Sequence, residues 1–146
     1  MDGFSKEDAT YFASVLCDGD PATLQEKYAQ YFDHRDPAVK RREFNAKRRA
    51  IVNELRARYG DDCMLQYEGM CQGRATAVDH LIPLSSNILN KRLRNMQSPP
   101  GKKVPTQSFG SNHPDNLILA CERCNAFKKH RFLNREEWLR VMERKE

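Results

Sequence analysis

Two pairs of cysteines constrain the fold of this chain more than any other feature of its sequence. Cys63 and Cys71 stand eight residues apart in CMLQYEGMC, and Cys121 and Cys124 stand three apart in CERC. Two thiolates three residues apart can reach the same metal ion, and four thiolates make up a closed tetrahedral zinc site. The two pairs therefore predict a structural zinc ion that joins two distant segments of the chain.

Other interpretations of the cysteines stay open. CERC could be a redox pair, although it lacks a thioredoxin-like setting and leaves two further cysteines unexplained. All five cysteines of the chain could instead be small buried hydrophobic residues. The fifth, Cys17, lies on the apolar side of a predicted helix, and we expect it to be a core residue.

The sequence predicts an intracellular, cytoplasmic protein. No run of about 18 apolar residues is present, which argues against a membrane partner. The first residues, MDGFSKEDATYF, lack the basic and then apolar layout of a secretory signal peptide. Thiols stay reduced inside the cell, where cysteines more often hold metal than form disulfides.

The distribution of charge points to a polyanionic partner. The chain has 146 residues, enough for one modest core, and a net charge of +5. Residues 1–36 carry a net charge of −5, whereas the remaining residues carry +10. A basic body suggests nucleic acid as the partner. The alternative that charge alone leaves open is a soluble protein with a well-charged surface.

Helix signals dominate residues 1–60, which we expect to form an N-terminal helical region. Ser5 with Asp8 resembles a capping box, and it opens the first of two helices in the acidic segment 1–36. Two Asp-Pro pairs, at positions 20–21 and 36–37, each place proline at a first helical position.

The second Asp-Pro pair opens a long basic helix over residues 37–59, which Gly60 ends. Arg42, Arg49 and Arg56 recur every seven residues along it and form one stripe.

Short strands and helices follow, so the fold class is predicted to be α+β. The predicted elements are a strand over 75–82, a long basic loop over 85–114, a strand over 116–120, a helix from Cys124 onward and a C-terminal helix over 134–146. A loop of that length in a compact domain is functional or mobile.

The polar residues between the cysteines resemble those of the HNH nucleases, also called His-Me finger or ββα-metal nucleases. The matching residues are Asp79-His80 with Pro83 on the first predicted strand, Asn116 on the second, and Cys121-Glu122-Arg123-Cys124-Asn125 with Lys128 on the helix. One branch of that family brackets its hairpin with cysteine pairs. The resemblance covers roughly residues 63–132 and leaves out the N-terminal helices.

The resemblance implies a zinc-stabilised ββα-metal (HNH) core, residues 61–133, preceded by the helical region. It implies that His80 is the general base and that Asn116 fixes the hairpin and orients it. It also implies that Asp79 and Asn125 bind a catalytic Mg²⁺ or Mn²⁺ ion. These types suit phosphodiester hydrolysis, because a neutral histidine takes a proton from water and oxygen ligands suit Mg²⁺.

One departure from the family concerns the last metal position. Members often have histidine where this chain has Asn125, and asparagine there keeps a hard oxygen ligand. His130 is a secondary candidate, since on a continuous helix it would lie about 140° from the Asn125 face.

Basic residues around the predicted core are candidates for phosphate contacts. They are Lys128, Lys129 and Arg131 after the second cysteine pair, Lys102 and Lys103 in the long loop, and Arg42, Arg49 and Arg56 on the basic helix. The last three could equally form a solvated helix face.

As a whole, the resemblance implies a metal-dependent endonuclease that hydrolyses DNA to 5′-phosphate and 3′-hydroxyl ends. Double-stranded DNA is the expected substrate. A restriction-like or phage-type enzyme is the expectation, with the helical region and long loop serving site recognition or homodimerisation. The alternative is a zinc-stabilised nucleic-acid-binding module that no longer cuts. A third hypothesis is a protein-interaction domain in which residues 1–36 bind a partner or cover the site.

Overall fold

The computed structural model describes residues 5–86 and 107–146, which form a mixed α+β fold. Its helices and strands in chain order are α1 (Lys6–Leu16), α2 (Pro21–Lys27), α3 (Pro37–Tyr59), β1 (Ala77–His80), β2 (Leu117–Ala120), α4 (Glu122–Lys128) and α5 (Arg135–Lys145). Single 3₁₀ turns cover Ala29–Tyr31 and Pro114–Asn116. The predicted α+β class and the helical N-terminal region are confirmed.

Side-chain caps define the starts of the N-terminal helices. The Ser5 hydroxyl accepts a hydrogen bond from the Asp8 amide at 3.1 Å, while Asp20 and Asp36 cap α2 and α3 ahead of their prolines. Each cap satisfies an amide that has no partner within its own helix. Gly60, with φ of 84°, ends α3 where the sequence places the stop.

The two strands form an antiparallel pair in which His80 lies opposite Leu117 and Ala77 lies opposite Ala120. β1 is shorter than the predicted 75–82, because the amides of Leu81 and Ile82 turn to the backbone and side-chain oxygens of Asn116, both at 2.8 Å. β2 likewise starts one residue later than predicted. His80 therefore stands at the end of β1, where the chain leaves the sheet.

Helix α4 begins at Glu122, two residues before the predicted start at Cys124. The cause is a cap that sequence patterns seldom reveal: the thiol sulfur of Cys121 accepts the amide of Cys124 at 3.3 Å. The predicted final helix is confirmed, and a capping box between Asn134 and Glu137 fixes its start.

One hydrophobic core joins the N-terminal helices to the sheet. All four residues of β2 are buried, with α3 packed against that strand and α1 packed against α5. Phe12 of α1 stands edge-on to Phe32, Phe109 and Phe132, at ring-centroid distances of 5.0 to 5.3 Å. These aromatic contacts fix where α1 lies relative to the rest of the chain.

Within residues 5–86 and 107–146, no helix combines the length and the apolar character that crossing a lipid bilayer requires.

Candidate functional site

The four paired cysteines converge on one point. The sulfur atoms of Cys63, Cys71, Cys121 and Cys124 all lie within 4.8 Å of one another, and all but Cys71 are buried. Tetrahedral zinc–thiolate bonds of about 2.3 Å place the sulfur atoms about 3.8 Å apart, so binding would draw the most separated pair together by about 1 Å at most. The cluster can therefore hold a metal ion such as zinc, as the spacing predicts.

Backbone amides support this cluster. The sulfur of Cys121 accepts the amides of Gln72 at 3.4 Å and Cys124 at 3.3 Å, and the sulfur of Cys71 accepts the amide of Gly73 at 3.3 Å. Burial alone would raise the pKa of the Cys121 thiol, but the amides of Gln72 and Cys124 and the neighbouring thiols lower it to about 7. Burial raises the pKa of the Cys71 and Cys124 thiols. A thiol that ionises readily is suited to binding metal.

Cys17 lies apart from the cluster. It is partly buried at the end of α1, and its thiol donates to the backbone oxygen of Asp20 at 3.2 Å. The expectation of a core residue is thus met only in part.

The side chain of His80, at the end of β1, contacts Asn112 and Phe44. Its Nε2 atom lies 2.8 Å from the side-chain oxygen of Asn112, and its ring packs edge-on against Phe44 of α3 at 4.8 Å. Because that oxygen can only accept, Nε2 carries the hydrogen in the neutral ring and Nδ1 keeps its lone pair. Burial lowers the pKa of His80 below its usual value and so favours the neutral form.

The orientation of Asn112 is itself fixed by α3. Its amide nitrogen donates to the backbone oxygen of Lys40 at 2.7 Å, so its oxygen points towards His80. The fully buried Lys40 ammonium binds the backbone oxygens of Gly110 at 2.7 Å and Asp33 at 2.5 Å, and burial lowers the pKa of this lysine to about 8. Lys40 therefore holds the segment that carries Asn112 against α3.

Glycine at position 110 makes this approach possible. A Cβ atom at Gly110 would lie 1.8 Å from the backbone oxygen of Ile82, which is far inside any real contact distance. The Gly110 amide donates to the backbone oxygen of Pro83 at 2.9 Å. Any larger residue at position 110 would force this segment and the Ile82–Pro83 backbone apart.

Asn116 is completely buried and ties the two strand ends together. Its side-chain oxygen accepts the Ile82 amide, and its side-chain nitrogen donates to the backbone oxygens of Ile82 at 3.0 Å and Ser111 at 2.8 Å. The side chain that hydrogen-bonds His80 is Asn112, which sequence reasoning missed. His80 and Asn112 are 32 positions apart in the sequence, and no local sequence pattern connects them.

Asp79 is paired with a buried lysine. Its Oδ2 atom lies 3.0 Å from the ammonium of Lys128, which is fully buried and also donates to the backbone oxygen of His80 at 3.0 Å. This ion pair is the sole polar contact of that buried oxygen among the residues that the structure describes. Lys128 thus stabilises the end of β1 through buried contacts. The sequence suggested instead that Lys128 is exposed and contacts phosphate.

An open cleft of about 210 Å³ lies beside Asp79 and His80. Its lining also comprises Arg41, Phe44 and Asn45 of α3, Pro83, Leu84 and Ser85 after β1, and Lys129 and His130 after α4. Three separate segments of the chain therefore meet at the two polar residues that end β1.

The far wall of the cleft differs from the sequence-based expectation. Asn125 is partly buried on α4 and does not line the cleft, whereas His130 does. The projection for His130 assumed a continuous helix, whereas α4 ends at Lys128 and Lys129 has φ of 54° and ψ of −137°. This turn brings His130 to the Asp79–His80 side.

The other basic candidates for phosphate contacts differ in how exposed they are. Arg131 donates to both carboxylate oxygens of Glu137 at 2.8 and 2.9 Å and to the Tyr67 hydroxyl at 3.0 Å, so its guanidinium is bound within the chain. Lys129 is exposed at the cleft, and the arginines of α3 are exposed. Lys102 and Lys103 lie outside the residues that the structure describes.

Comparison of the chain with protein-family models, curated proteins and solved structures finds no match. What the chain does therefore has to be inferred from the cleft and the cysteine cluster themselves.

Proposed function

We propose that this chain is a metal-dependent endonuclease of the HNH type, which hydrolyses DNA to 5′-phosphate and 3′-hydroxyl ends. The observation that supports it best is the arrangement at the end of β1. A neutral histidine whose Nδ1 atom keeps its lone pair stands directly beside a largely buried carboxylate at an open cleft. Proton transfer from water and binding of a hard cation are the two capabilities that phosphodiester hydrolysis needs.

His80 acts as the general base in this proposal. Its Nδ1 atom takes a proton from a water molecule while the water oxygen attacks the phosphorus and the 3′ oxygen leaves. The Nε2 hydrogen remains bonded to Asn112, which keeps the ring in the competent tautomer. A positioned base of this kind contributes about 10²- to 10⁴-fold to the rate.

Asp79 would hold the catalytic Mg²⁺ or Mn²⁺ ion at the cleft. The carboxylate of Asp79 suits a hard cation, since its buried Oδ2 atom receives no hydrogen bond beyond the Lys128 ion pair in the described part of the chain. Asn125, the second ligand that the resemblance implies, does not line the cleft and is not assigned as a ligand here. When bound, such an ion relieves negative charge on the phosphate and on the departing oxygen.

The cysteine cluster has a structural role in the proposal. Cys121 caps α4 and Cys124 lies in its first turn, while Cys63 and Cys71 belong to the segment between α3 and β1. A zinc ion bound by all four would fix α4, and with it Lys128, against the end of β1. The cluster would thereby hold the walls of the cleft together.

Matched histidine substitutions test the proposal. His80→Asn removes the base, whereas His113→Asn makes the same change at an exposed histidine whose side chain caps a 3₁₀ turn, a role that asparagine can fill. We expect His80→Asn to reduce Mg²⁺-dependent plasmid cleavage by about 10²- to 10⁴-fold and His113→Asn to leave it unchanged. Wild-type cleavage by the His80 variant would exclude this mechanism.

The alternative function, a nucleic-acid-binding module that does not cut, is favoured by one observation. The buried Lys128 ammonium already neutralises the Asp79 carboxylate, so the site is charge-balanced without a catalytic cation. Zinc-loaded protein incubated with plasmid DNA, first without and then with Mg²⁺ or Mn²⁺, separates the two functions. Retardation of the plasmid without cleavage under every condition supports the module.

A further inference from the structure

Helix α3 is unusually exposed for its length. Of its 23 residues only Lys40, Phe44 and Leu55 have buried side chains, and every residue from 45 to 50 is exposed. An amphipathic helix that is held by packing alone usually buries a continuous stripe. The middle of α3 therefore has an exposed surface that a partner can contact.

The charges on α3 are separated between its two sides. Taking about 100° per residue, five arginines fall within an arc of about 120°, and the two glutamates, Glu43 and Glu54, lie on the opposite side. We name this group the arginine face; it consists of Arg41, Arg42, Arg48, Arg49 and Arg56. A helix that is merely solvated tends to alternate its charges so that they pair.

The arginine face starts at the cleft. Arg41 is part of the cleft lining, and the guanidinium of Arg48 lies 5.9 Å from the ring centroid of Phe44, the residue that packs against His80. From Arg41 to Arg56 the helix rises by about 22 Å. The row of cations thus leads away from the candidate catalytic residues in a straight line.

Most of this positive charge is not compensated by residues 5–86 and 107–146. Arg41, Arg42, Arg48 and Arg49 have no ion pair with any residue in the described ranges, and Arg56 has a loose one with Asp61 at 3.6 Å. Glu43, on the other side of the helix, is engaged by Arg35 at 2.7 Å. The face is therefore attractive to a polyanion.

We propose that the arginine face is a docking surface for the backbone of double-stranded DNA and places the duplex across the His80 cleft; this inference rests on the proposed function. Guanidinium groups bind phosphate oxygens in a bidentate manner, and a straight rigid row suits a stiff duplex. Proteins that bind single strands use exposed aromatic rings for stacking. The arginine face has none, since Phe44 is buried and the Tyr59 ring is covered by Arg58 and Lys145.

Two double variants with the same loss of charge test the proposal. The first variant, Arg42→Gln with Arg49→Gln, removes two of the five charges of the arginine face, and neither residue lines the cleft. Lys47→Gln with Arg58→Gln neutralises two cations that the same helical projection places outside the arginine face. Binding of each full-length, zinc-loaded protein to a fluorescent DNA duplex is measured by anisotropy over a range of salt concentrations, without Mg²⁺ or Mn²⁺, and a single strand of the same sequence serves as a second probe.

The expected result is a loss confined to the arginine-face variant and to the duplex. Duplex affinity should fall on the order of tenfold at about 0.1 M salt, and the slope of log affinity against log salt should drop by about 2. Equal losses in both double variants, no loss in either, or an equal loss for the single strand would overturn the proposal. Because no cleavage is measured, a protein that never cuts DNA can still show this binding pattern.

Discussion

The Nε2 atom of His80 lies 2.8 Å from the side-chain oxygen of Asn112, and the nitrogen of the same amide donates to the backbone oxygen of Lys40. A helix of the N-terminal region thus determines which nitrogen of the imidazole carries its hydrogen. A strand-end histidine without such a partner would sample both neutral tautomers.

Asn112→Ala should release His80 from the Nε2-protonated tautomer. With the acceptor gone, the two neutral forms become closer in free energy, and the ¹⁵N shifts of the His80 ring in NMR spectra should move towards values averaged over both nitrogens. Asn45→Ala is the matched control, because Asn45 lines the same cleft and has no hydrogen bond to His80. Unchanged His80 shifts in the Asn112 variant would show that the contact does not set the tautomer.

Zinc content should depend on four of the five cysteines. We expect elemental analysis to give one zinc ion per wild-type chain, and Cys124→Ala to lose both the ion and much of the thermal stability, because a closed structural site contributes directly to folding. Cys17→Ala removes a thiol outside the cluster and should retain the ion. Full zinc occupancy without Cys124 would mean that the cluster is not the binding site.

Lys128→Met should destabilise the protein by about 3–5 kcal/mol, since it leaves the Asp79 carboxylate largely buried without its partner. Lys129→Met, the same change at the exposed neighbouring lysine, should cost about 0.5 kcal/mol or less. Urea denaturation measures both. If Asp79 binds a divalent cation, added Mg²⁺ should stabilise the Lys128 variant more than the wild type.

That comparison has two ways to fail. Equal costs for the two lysine variants would contradict the structural role of Lys128. A normal cost for Lys128→Met with no extra stabilisation by Mg²⁺ would keep that role but count against a cation at Asp79.

The ion pair between Glu137 and Arg131 should make stability depend on acid pH. Burial alone would raise the pKa of Glu137, but the Arg131 guanidinium, the Tyr67 hydroxyl and the Asn134 amide lower it to about 2 from an ordinary value of 4.5. The folded state therefore binds fewer protons, and this contribution is present above pH 4.5 and is lost as the pH falls towards 2.

Glu137→Gln should accordingly lower the free energy of unfolding by about 1–3 kcal/mol at pH 7 and flatten its decline below pH 4.5. Glu136→Gln changes the adjacent, exposed glutamate, whose partner is Arg140, and should shift stability by about 0.5 kcal/mol or less. Denaturation at several pH values distinguishes them. A Glu137 variant with the same pH profile as the wild type would contradict the assignment.

Features with local causes could be predicted from the sequence. The caps at Ser5, Asp20 and Asp36 act within three residues, so the helix starts they define can be predicted from the neighbouring residues. The cysteine cluster was predictable for a chemical reason, because four thiolates with one close pair have few alternative uses.

The remainder of the site depends on distant contacts or on backbone angles that residue type does not specify. Lys128 belongs to a run of basic residues that looks exposed, yet its side chain is buried beside Asp79, and α4 ends in a turn at Lys129 directly after it. That turn has a positive φ at a lysine, which no residue preference predicts. The partner of His80 comes from a segment 32 residues away, brought close by Gly110 and Lys40.

The aromatic contacts of Phe12 have a practical consequence for anyone who wishes to dissect this chain. A truncation that starts after the acidic segment would strip two of the four rings, Phe12 and Phe32, from that cluster and leave Phe109 and Phe132 facing water. Such a fragment should aggregate before its activity could be assayed. The first helix is therefore part of the hydrophobic core and cannot be deleted without exposing it. Its acidic surface is better altered by point substitutions that leave the rings in place.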